Sequence, residues 1–427
     1  MKTYELRIET SEMKRALDVM ATVVNRKNAM PILADARIAY DRERKVFGMT
    51  ASNGDMYLEM GCWRHDDNVE GKRQPWMFHD SHNAGDDKAA PLADFCVNVE
   101  MFREAFASIP ALPANCKLVL GDDGEGGMLT VNYGKGEFTL PVDSAQDFPP
   151  VPAVVTKDGE QREGISALAC FQIDAERLLP LVNAARCCVA ADELRPQMCA
   201  VCVDTFQDRF VVVSSDGHSL FRQQVDMGMG WLKYGNFAAD QSAKLLLPAP
   251  VLSPMQKALT GEEKITLTAD TQRISIENGD GRVRLTFQVP EARYPNYETV
   301  IPKESAYKVV VDRMELTATL RRISPFSETG SNLCTMKREG DRLTLDTSDI
   351  AAGRTASEQV SIINPDSSLP DGFKMGFKIQ TMQKLLTCAT TESIQLLIND
   401  PRTAALLREE DGKSGLTLLI MPMIVNQ

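Results

Sequence analysis

The sequence predicts an α+β chain of three repeated domains, each with two helices packed on antiparallel sheets. Three stretches that share one layout carry the prediction. They are LADARIAYDRERKVFGMTASNGDMYLEM from Leu33, MCAVCVDTFQDRFVVVSSDGHSLFRQQV from Met198 and NLCTMKREGDRLTLDTSDIAAGRTASEQV from Asn332. Each reads as a strand, a polar turn, a second strand ending in Thr or Ser with Asn or Asp, and a third strand. Their apolar residues alternate as half-buried β structure requires. A repeat on this scale decides the architecture before any single element is assigned. Length agrees, since 427 residues exceed one ordinary core and suit about three domains of roughly 150 residues.

Each copy opens with a strand and an amphipathic helix: YELRIETSEMKRALDVMATVV from Tyr4, FQIDAERLLPLVNAARCC from Phe171 and YKVVVDRMELTATLRRI from Tyr307. In the first, Met13, Ala16, Leu17, Met20 and Val24 recur at helical spacing, leaving Lys14, Arg15 and Asp18 on the other face. Asp174 and Asp312 are placed as N-caps, Asp312 with Glu315 forming a capping box. Pro180 lies beyond the first turn of its helix and predicts a kink.

After the shared layout comes a second strand and helix: FCVNVEMFREAFASI from Phe95, KLLLPAPVLSPMQKAL from Lys244 and FKMGFKIQTMQKLL from Phe373. Phe102, Ala105, Phe106 and Ile109 form one apolar face, and Met382, Leu385, Leu386 and Ala389 another. Closing hairpins follow with glycine-bearing turns: MLTVNYGKGEFTLPV from Met128, RISIENGDGRVRLTFQVP from Arg273 and ALLREEDGKSGLTLLIMP from Ala405. Proline-rich junctions after Phe148 and Tyr294 divide the chain into domains 1–153, 154–302 and 303–427. The first copy also holds a polar insertion at about 63–93, expected as a surface excursion.

Composition narrows the function classes. With 43% hydrophobic and 25% charged residues the chain is of ordinary soluble, globular type. No apolar run reaches the ~18 residues of a membrane span, and MKTYELRIET lacks the apolar core of a signal peptide, so a cytoplasmic, membrane-free protein is expected. A formal charge of -12 argues against a generally basic nucleic-acid binder. It does not say where the charges sit, and a protein acidic outside and basic inside would still bind phosphates. The ten cysteines fall mostly within apolar patterns and are expected as reduced thiols. Cys199 and Cys202 form a CxxC, but in a strand that spacing sends the two thiols to opposite faces, against a metal site.

Ser214, Ser215, Asp216 and His218 are the residue types of a hydrolytic triad. Neighbours on one short loop do not converge as nucleophile, base and orienter, and the segment reads as a tight turn. His65, Asp66, Asp67, His79, Asp80 and His82 gather in the insertion, as a zinc site or as a solvated loop. GDDGEGG from Gly121 matches no dinucleotide fingerprint. No catalytic residue, metal ligand or cofactor is assigned. What recurs instead is basic charge on the helices: Lys14, Arg15, Arg103, Arg177, Arg186, Lys257, Arg313, Arg321, Arg322 and Lys384. Brought to one side, these would form a lining for sequence-independent phosphate contact.

KNAMPIL from Lys27, DELRPQMCAV from Asp192, SSDGHSL from Ser214, YPNYETVIP from Tyr294 and LLIMPM from Leu418, in that order, resemble the bacterial DNA polymerase III β sliding clamp family. The resemblance spans all three copies. It implies the DNA clamp fold, a head-to-tail homodimer closed into a ring of six domains around duplex DNA, helices lining the hole, and a non-catalytic accessory subunit of the polymerase. The implied partners are double-stranded DNA held topologically, the replicative polymerase catalytic subunit, the clamp loader and other repair and replication proteins.

Carried over by position, a peptide cleft between the second and third domains uses Met198, Ser215, Gly217, His218, Ser219, Leu220, Pro295, Thr299, Val300, Leu419, Met421, Pro422 and Met423. Loops matching Arg26, Lys27, Arg195 and Gln197 join Lys14, Arg15, Arg103, Arg177, Arg186, Lys257, Arg321 and Lys384 as DNA-binding positions. Subunit closure falls to Phe138 and Leu140, packing near Ile323 and Phe326 of the partner. Ser219 and Thr299 depart from the family, where arginine is frequent, and Ala249, Pro250 and Val251 replace an often basic segment. The tail runs on through Ile424, Val425, Asn426 and Gln427, and the insertion after Trp63 has no usual counterpart. Two other readings stand beside this one: a monomeric three-domain peptide-binding adaptor that does not encircle DNA, and a metal-dependent hydrolase built on the histidines of the insertion.

Overall fold

Period-two stretches become strands and 3.6-residue stretches become helices, in nearly the same order three times over. The computed structural model describes residues 2–25, 29–41, 46–63, 76–79, 94–111, 113–120, 126–152, 169–228, 231–235, 242–364, 368–410 and 414–425. The first copy comprises β1 (Lys2–Glu9), α1 (Thr10–Met20), β2 (Asp35–Asp41), β3 (Val46–Ser52), β4 (Met56–Trp63) and β5 (Trp76–His79). It continues with β6 (Phe95–Asn98), α2 (Val99–Ala107), β7 (Pro113–Leu120), β8 (Gly127–Tyr133) and β9 (Gly136–Ser144). The second comprises β10 (Ala169–Asp174), α3 (Ala175–Ala185), β11 (Ala200–Thr205), β12 (Arg209–Ser215), β13 (Ser219–Asp226) and β14 (Leu232–Gly235). It ends with β15 (Ala243–Pro248), α4 (Ala249–Leu259), β16 (Lys264–Ala269), β17 (Arg273–Asn278) and β18 (Val283–Gln288). The third comprises β19 (Tyr307–Asp312), α5 (Arg313–Ile323), β20 (Leu333–Glu339), β21 (Arg342–Asp349) and β22 (Arg354–Ser361). It closes with β23 (Lys374–Lys378), α6 (Ile379–Leu386), β24 (Ser393–Ile398), β25 (Ala405–Glu409) and β26 (Leu416–Ile420).

Helix starts follow local chemistry. Asn98 Oδ1 accepts from Met101 N at 3.1 Å to cap α2, and Asp312 Oδ1 accepts from Glu315 N at 2.6 Å to cap α5. Helix α1 stops at Met20, sooner than the apolar spacing suggests, so Val23 rather than Val24 is buried. Helix α3 runs on through Pro180, whose side chain is exposed, and a 3-10 turn follows it over Arg186–Cys188. In β16 and β24 every second residue is buried, as one covered face demands. Strand β11 is buried at all six positions, so both of its faces are covered.

The chain forms two compact units, and the second copy contributes to both. One unit comprises Met1–Glu176, Leu232–Asn236 and Ser253–Val289. Its sheet has the order β14-β10-β16-β17-β18-β4-β3-β2-β6-β9-β8-β7-β1-β5. The other comprises Arg177–Trp231, Phe237–Leu252 and Pro290–Gln427, with an eight-stranded sheet β15-β11-β12-β13-β26-β25-β24-β19 and a four-stranded sheet β22-β21-β20-β23.

Successive copies are joined by one rule in both units. The last strand of a closing hairpin pairs antiparallel with the third strand of the preceding copy: β18 with β4, Leu285 facing Leu58, and β26 with β13, Leu419 facing Leu220. Part of the insertion is structured rather than a simple excursion. Its strand β5 lies antiparallel to β1, as β14 lies antiparallel to β10, so it covers a backbone edge that would otherwise be open. The remaining residues of the insertion, with His65, Asp66, Asp67, Asp80 and His82, lie outside the described residues. Cys199 sits in the turn before β11, half-exposed, and only Cys202 is buried in the strand, so environment rather than strand alternation separates the two thiols. Among the described residues no helix is long and apolar enough to cross a membrane, and no group of three or more His, Cys, Asp or Glu side chains is arranged to hold a metal ion.

Candidate functional site

The cleft is built on one face of the eight-stranded sheet. Ala200, Cys202, Val211, Val213, Leu220, Leu406 and Leu419 form its floor, with Tyr294 and Tyr297 of the connecting segment packed onto it. Leu220 and Leu419 are cross-strand partners, 1% and 4% exposed, which places one residue from each of two copies at the same spot. Met198, in the 3-10 turn Pro196–Met198, is also buried.

The rim is set by the hairpin between β12 and β13. Asp216 Oδ1 accepts from His218 N at 2.9 Å, Ser219 N at 2.6 Å and Ser219 Oγ at 3.0 Å. Ser215 Oγ donates to Ser219 O at 2.8 Å and accepts from Gly217 N at 3.2 Å. Gly217 takes φ +87°, which glycine adopts without strain. The carboxylate oxygen facing the loop is thus occupied by the turn, and Ser214 is buried with its hydroxyl donating to Ala185 O. These residues build a turn and leave His218 exposed at its tip. Ser219 is buried with its hydroxyl occupied, while Arg195 supplies a cation nearby. Its guanidinium nitrogen lies 3.5 Å from where a Cβ on Gly217 would stand.

The tail crosses this rim. Met421 N donates to His218 O at 2.8 Å and Met423 N to Gly376 O at 2.8 Å, so residues 421–423 span from the hairpin to β23. Met421 is 40% exposed and Val300 55%; Pro422 and Met423 are half-buried, and Pro295 and Thr299 are exposed. An apolar floor with adaptable methionines at its margin accepts apolar side chains of more than one shape.

One hydrogen bond fastens the segment that walls the cleft. Tyr297 Oη donates to Asp204 Oδ2 at 2.9 Å, and Asp204 is only 2% exposed. Burial, followed by the charge of Asp204, raises the Tyr297 phenol above its ordinary pKa and keeps it protonated as the donor. The Lys244 ammonium lies 5.3 Å from the centre of the same ring.

The predicted DNA-binding positions have several environments. In the first unit Arg15, Arg103 and Lys257, from α1, α2 and α4, line one cavity of about 680 Å³ with Asp18, Val19, Gln256 and Thr260. Arg103 is held there by Asp18 at 3.4 Å and Glu100 at 3.3 Å. Lys14 is turned inward, its ammonium donating to Ile109 O at 2.6 Å, a C-terminal carbonyl contact favoured by the helix dipole. In the second unit Arg177 is exposed and donates to Met227 Sδ at 3.4 Å. Arg186, Arg321 and Lys384 are exposed and Gln197 is half-buried. Arg313 and Arg322 are engaged with Thr391 O and the Glu358 carboxylate. Arg26 and Lys27 lie outside the described residues.

The predicted closure residues divide by exposure. Leu140 and Ile323 are buried in their own units, whereas Phe326 is 41% exposed. Phe138 is half-buried, edge-on to Phe106 at 5.8 Å. Among the described residues, β22 is paired on one side only, by β21, and residues 136–142 of β9 only by β8.

Residues 298–424 match the family model for the DNA polymerase III beta subunit, C-terminal domain. A beta sliding clamp of Caulobacter vibrioides is 22% identical over 426 residues, spanning 99% of this chain and 100% of that protein. Another, from Synechococcus elongatus, is 24% identical over 324 residues, 74% of this chain and 78% of that one. The chain belongs to the bacterial β sliding clamp family. Its clamp fold is shared with the DNA polymerase sliding clamp of Bacillus subtilis at a TM-score of 0.79 and 16% identity, over 99% of this chain and 100% of that one. A Pseudomonas aeruginosa sliding clamp bound to griselimycin superposes at a TM-score of 0.78 with 18% identity and the same coverage.

Sequence reading missed three parts of this clamp's site: the Asp204–Tyr297 bond, the seat of Arg195 beside Gly217, and the bridge from Met423 to Gly376. The acid in the apolar run VCVDT was the one available signal for the first. Replacing Tyr297 with Phe leaves a buried carboxylate oxygen without its donor and is expected to lower unfolding free energy by about 1–3 kcal/mol. Urea denaturation reads this, and an unchanged midpoint would show that the bond contributes nothing to the fold.

Proposed function

We propose that the chain acts as a DNA sliding clamp whose subunits close head to tail into a ring around duplex DNA and tether the replicative polymerase and other DNA-processing proteins by topology. The observation that carries this reading is the pair of half-paired strands. Copies within the chain are joined by a closing strand on the third strand of the copy before it. β22 is the third strand of the last copy and β9 the closing strand of the first, and each keeps a free side. Two chains arranged head to tail would repeat the internal joint twice more, β9 of one subunit on β22 of the next, and leave no open edge. A heterologous contact of this kind closes into a ring when the rotation permits. A monomeric adaptor gives no reason for two complementary edges.

In this reading the domains are 1–153, 154–302 and 303–427, the second lending strands to each unit, and the ring holds six of them. Phe138 and Phe326 are the side chains left available to the joint, and Leu140 and Ile323 support them from beneath. Arg15, Arg103, Lys257, Arg177, Arg186, Arg321 and Lys384 meet phosphates through weak, sequence-independent contacts that permit sliding. Linear peptides of the polymerase, the clamp loader and repair proteins seat on Leu220 and Leu419, bounded by Met198, His218, Pro295, Val300, Met421 and Met423. Arg195 supplies the positive rim that Ser219 and Thr299 do not. The subunit performs no chemistry of its own and works in the cytoplasm.

Phe138→Asp places an unpaired charge in an apolar joint and is expected to yield monomers in sedimentation analysis; a dimeric variant would put the joint elsewhere. Met421→Ala with Met423→Ala should weaken binding of a polymerase tail peptide at least tenfold while the dimer persists, and calorimetry returning the wild-type affinity would move the cleft. Arg15→Ala with Lys257→Ala removes two phosphate contacts, so the slope of log affinity for duplex DNA against log salt should flatten by about 2. The wild-type slope would exclude both residues from the DNA path.

A further inference from the structure

Three thiols outside the cleft converge in the second unit. Cys187 and Cys188 belong to the 3-10 turn after α3, and Cys388 lies just past the end of α6. Cys187 Sγ is 3.3 Å from Cys388 Sγ and 3.4 Å from Cys188 Sγ. Cys388 Sγ also lies 3.6 Å from Ala184 O and 3.5 Å from Lys384 O, so the group sits between the last turns of two helices from different copies. A disulfide has S–S ≈ 2.05 Å, so Cys187 and Cys388 need approach by only about 1.3 Å.

Access and geometry select the pair. Cys188 is buried and is the chain neighbour of Cys187, so a bond between them would force a strained ring across a single peptide unit. Cys187 and Cys388 are both half-buried, within reach of small solutes. We infer that Cys187 and Cys388 form a reversible thiol–disulfide site for small peroxide-class oxidants, joining segments 201 residues apart in sequence.

The order of events follows from the hydrogen bond between the two sulfurs. The Cys187 thiol donates toward Cys388, which holds the Cys388 pKa below the ordinary thiol value, while Cys187 keeps its own proton more tightly. Burial pushes Cys96, Cys116 and Cys334 up to about 12. Burial, followed by the charges of Asp192 and Glu193, also raises Cys199. Cys388 is therefore the attacking thiolate. Its sulfur takes one peroxide oxygen, the O–O bond breaks, and the departing hydroxide gains the proton that Cys388 released. Cys187 then attacks the sulfenic sulfur, and its proton leaves with the hydroxyl as water. Two thiols lose two electrons and one peroxide becomes two waters. The bond would tie the turn that carries Arg186 to the helix end that carries Lys384, fixing the second copy to the third.

The test uses purified full-length protein, reduced, treated with hydrogen peroxide and digested without reductant before mass spectrometry. The expected product is a linked Cys187–Cys388 peptide pair, two hydrogens lighter than its parts, formed before any oxidation of Cys199 and reversed by dithiothreitol. Cys187→Ser and Cys388→Ser should each abolish it and Cys188→Ser should retain it. A Cys187–Cys188 link, a link between subunits, earlier oxidation of Cys199, or no linked peptide would each overturn the assignment. Because the wild-type digest alone separates these outcomes, the result stands even if a variant folds poorly.

Discussion

The antiparallel pairing of a closing strand with the third strand of the preceding copy is the interaction on which the rest depends. At β13 and β26 it sets Leu220 against Leu419 and so makes the cleft floor, and at β4 and β18 it extends one sheet through two copies. Register is not free to slip. A shift by one residue would turn Leu220 and Leu419 away from the covered face and bring Phe221 and Leu418 onto it. Both faces of this pairing are apolar, since Phe221 and Leu418 are also buried, so either face would lose its packing.

Above that floor, a short connecting segment does two jobs through two tyrosines. Tyr294 and Tyr297 cover the apolar surface, and the Tyr297 hydroxyl satisfies one oxygen of a buried carboxylate. Burying an acid is costly unless it is hydrogen-bonded. The cost is offset here by a bond that also fixes where the segment runs, which in turn sets the positions of Pro295 and Val300.

Much of this was legible in the sequence because repetition multiplies weak signals. Three similar patterns located the strands, caps such as Asp312 located helix starts, and glycine turns located the hairpins. The end of α1 was misread by three residues because Val23 and Val24 are both apolar and spacing alone cannot choose between them. The strand within the insertion was missed because its four residues are flanked by polar sequence and owe their conformation to β1 across the chain, a tertiary cause that local pattern does not carry. Site residues fared unevenly for the same reason. Floor positions follow from alternation, whereas the seat of Arg195, the inward turn of Lys14 and the strand-like bridge of Met423 to Gly376 depend on partners far away in sequence.

The floor of the cleft is also the seam between two copies, and this has a thermodynamic consequence. Any ligand that covers Leu220 and Leu419 binds only when β13 and β26 are paired, so its binding free energy is added to the cost of separating them. Occupancy and seam integrity are then linked functions. A clamp carrying a client would resist local opening of its third copy more than an empty one, by an amount set by client concentration rather than by any new contact within the protein.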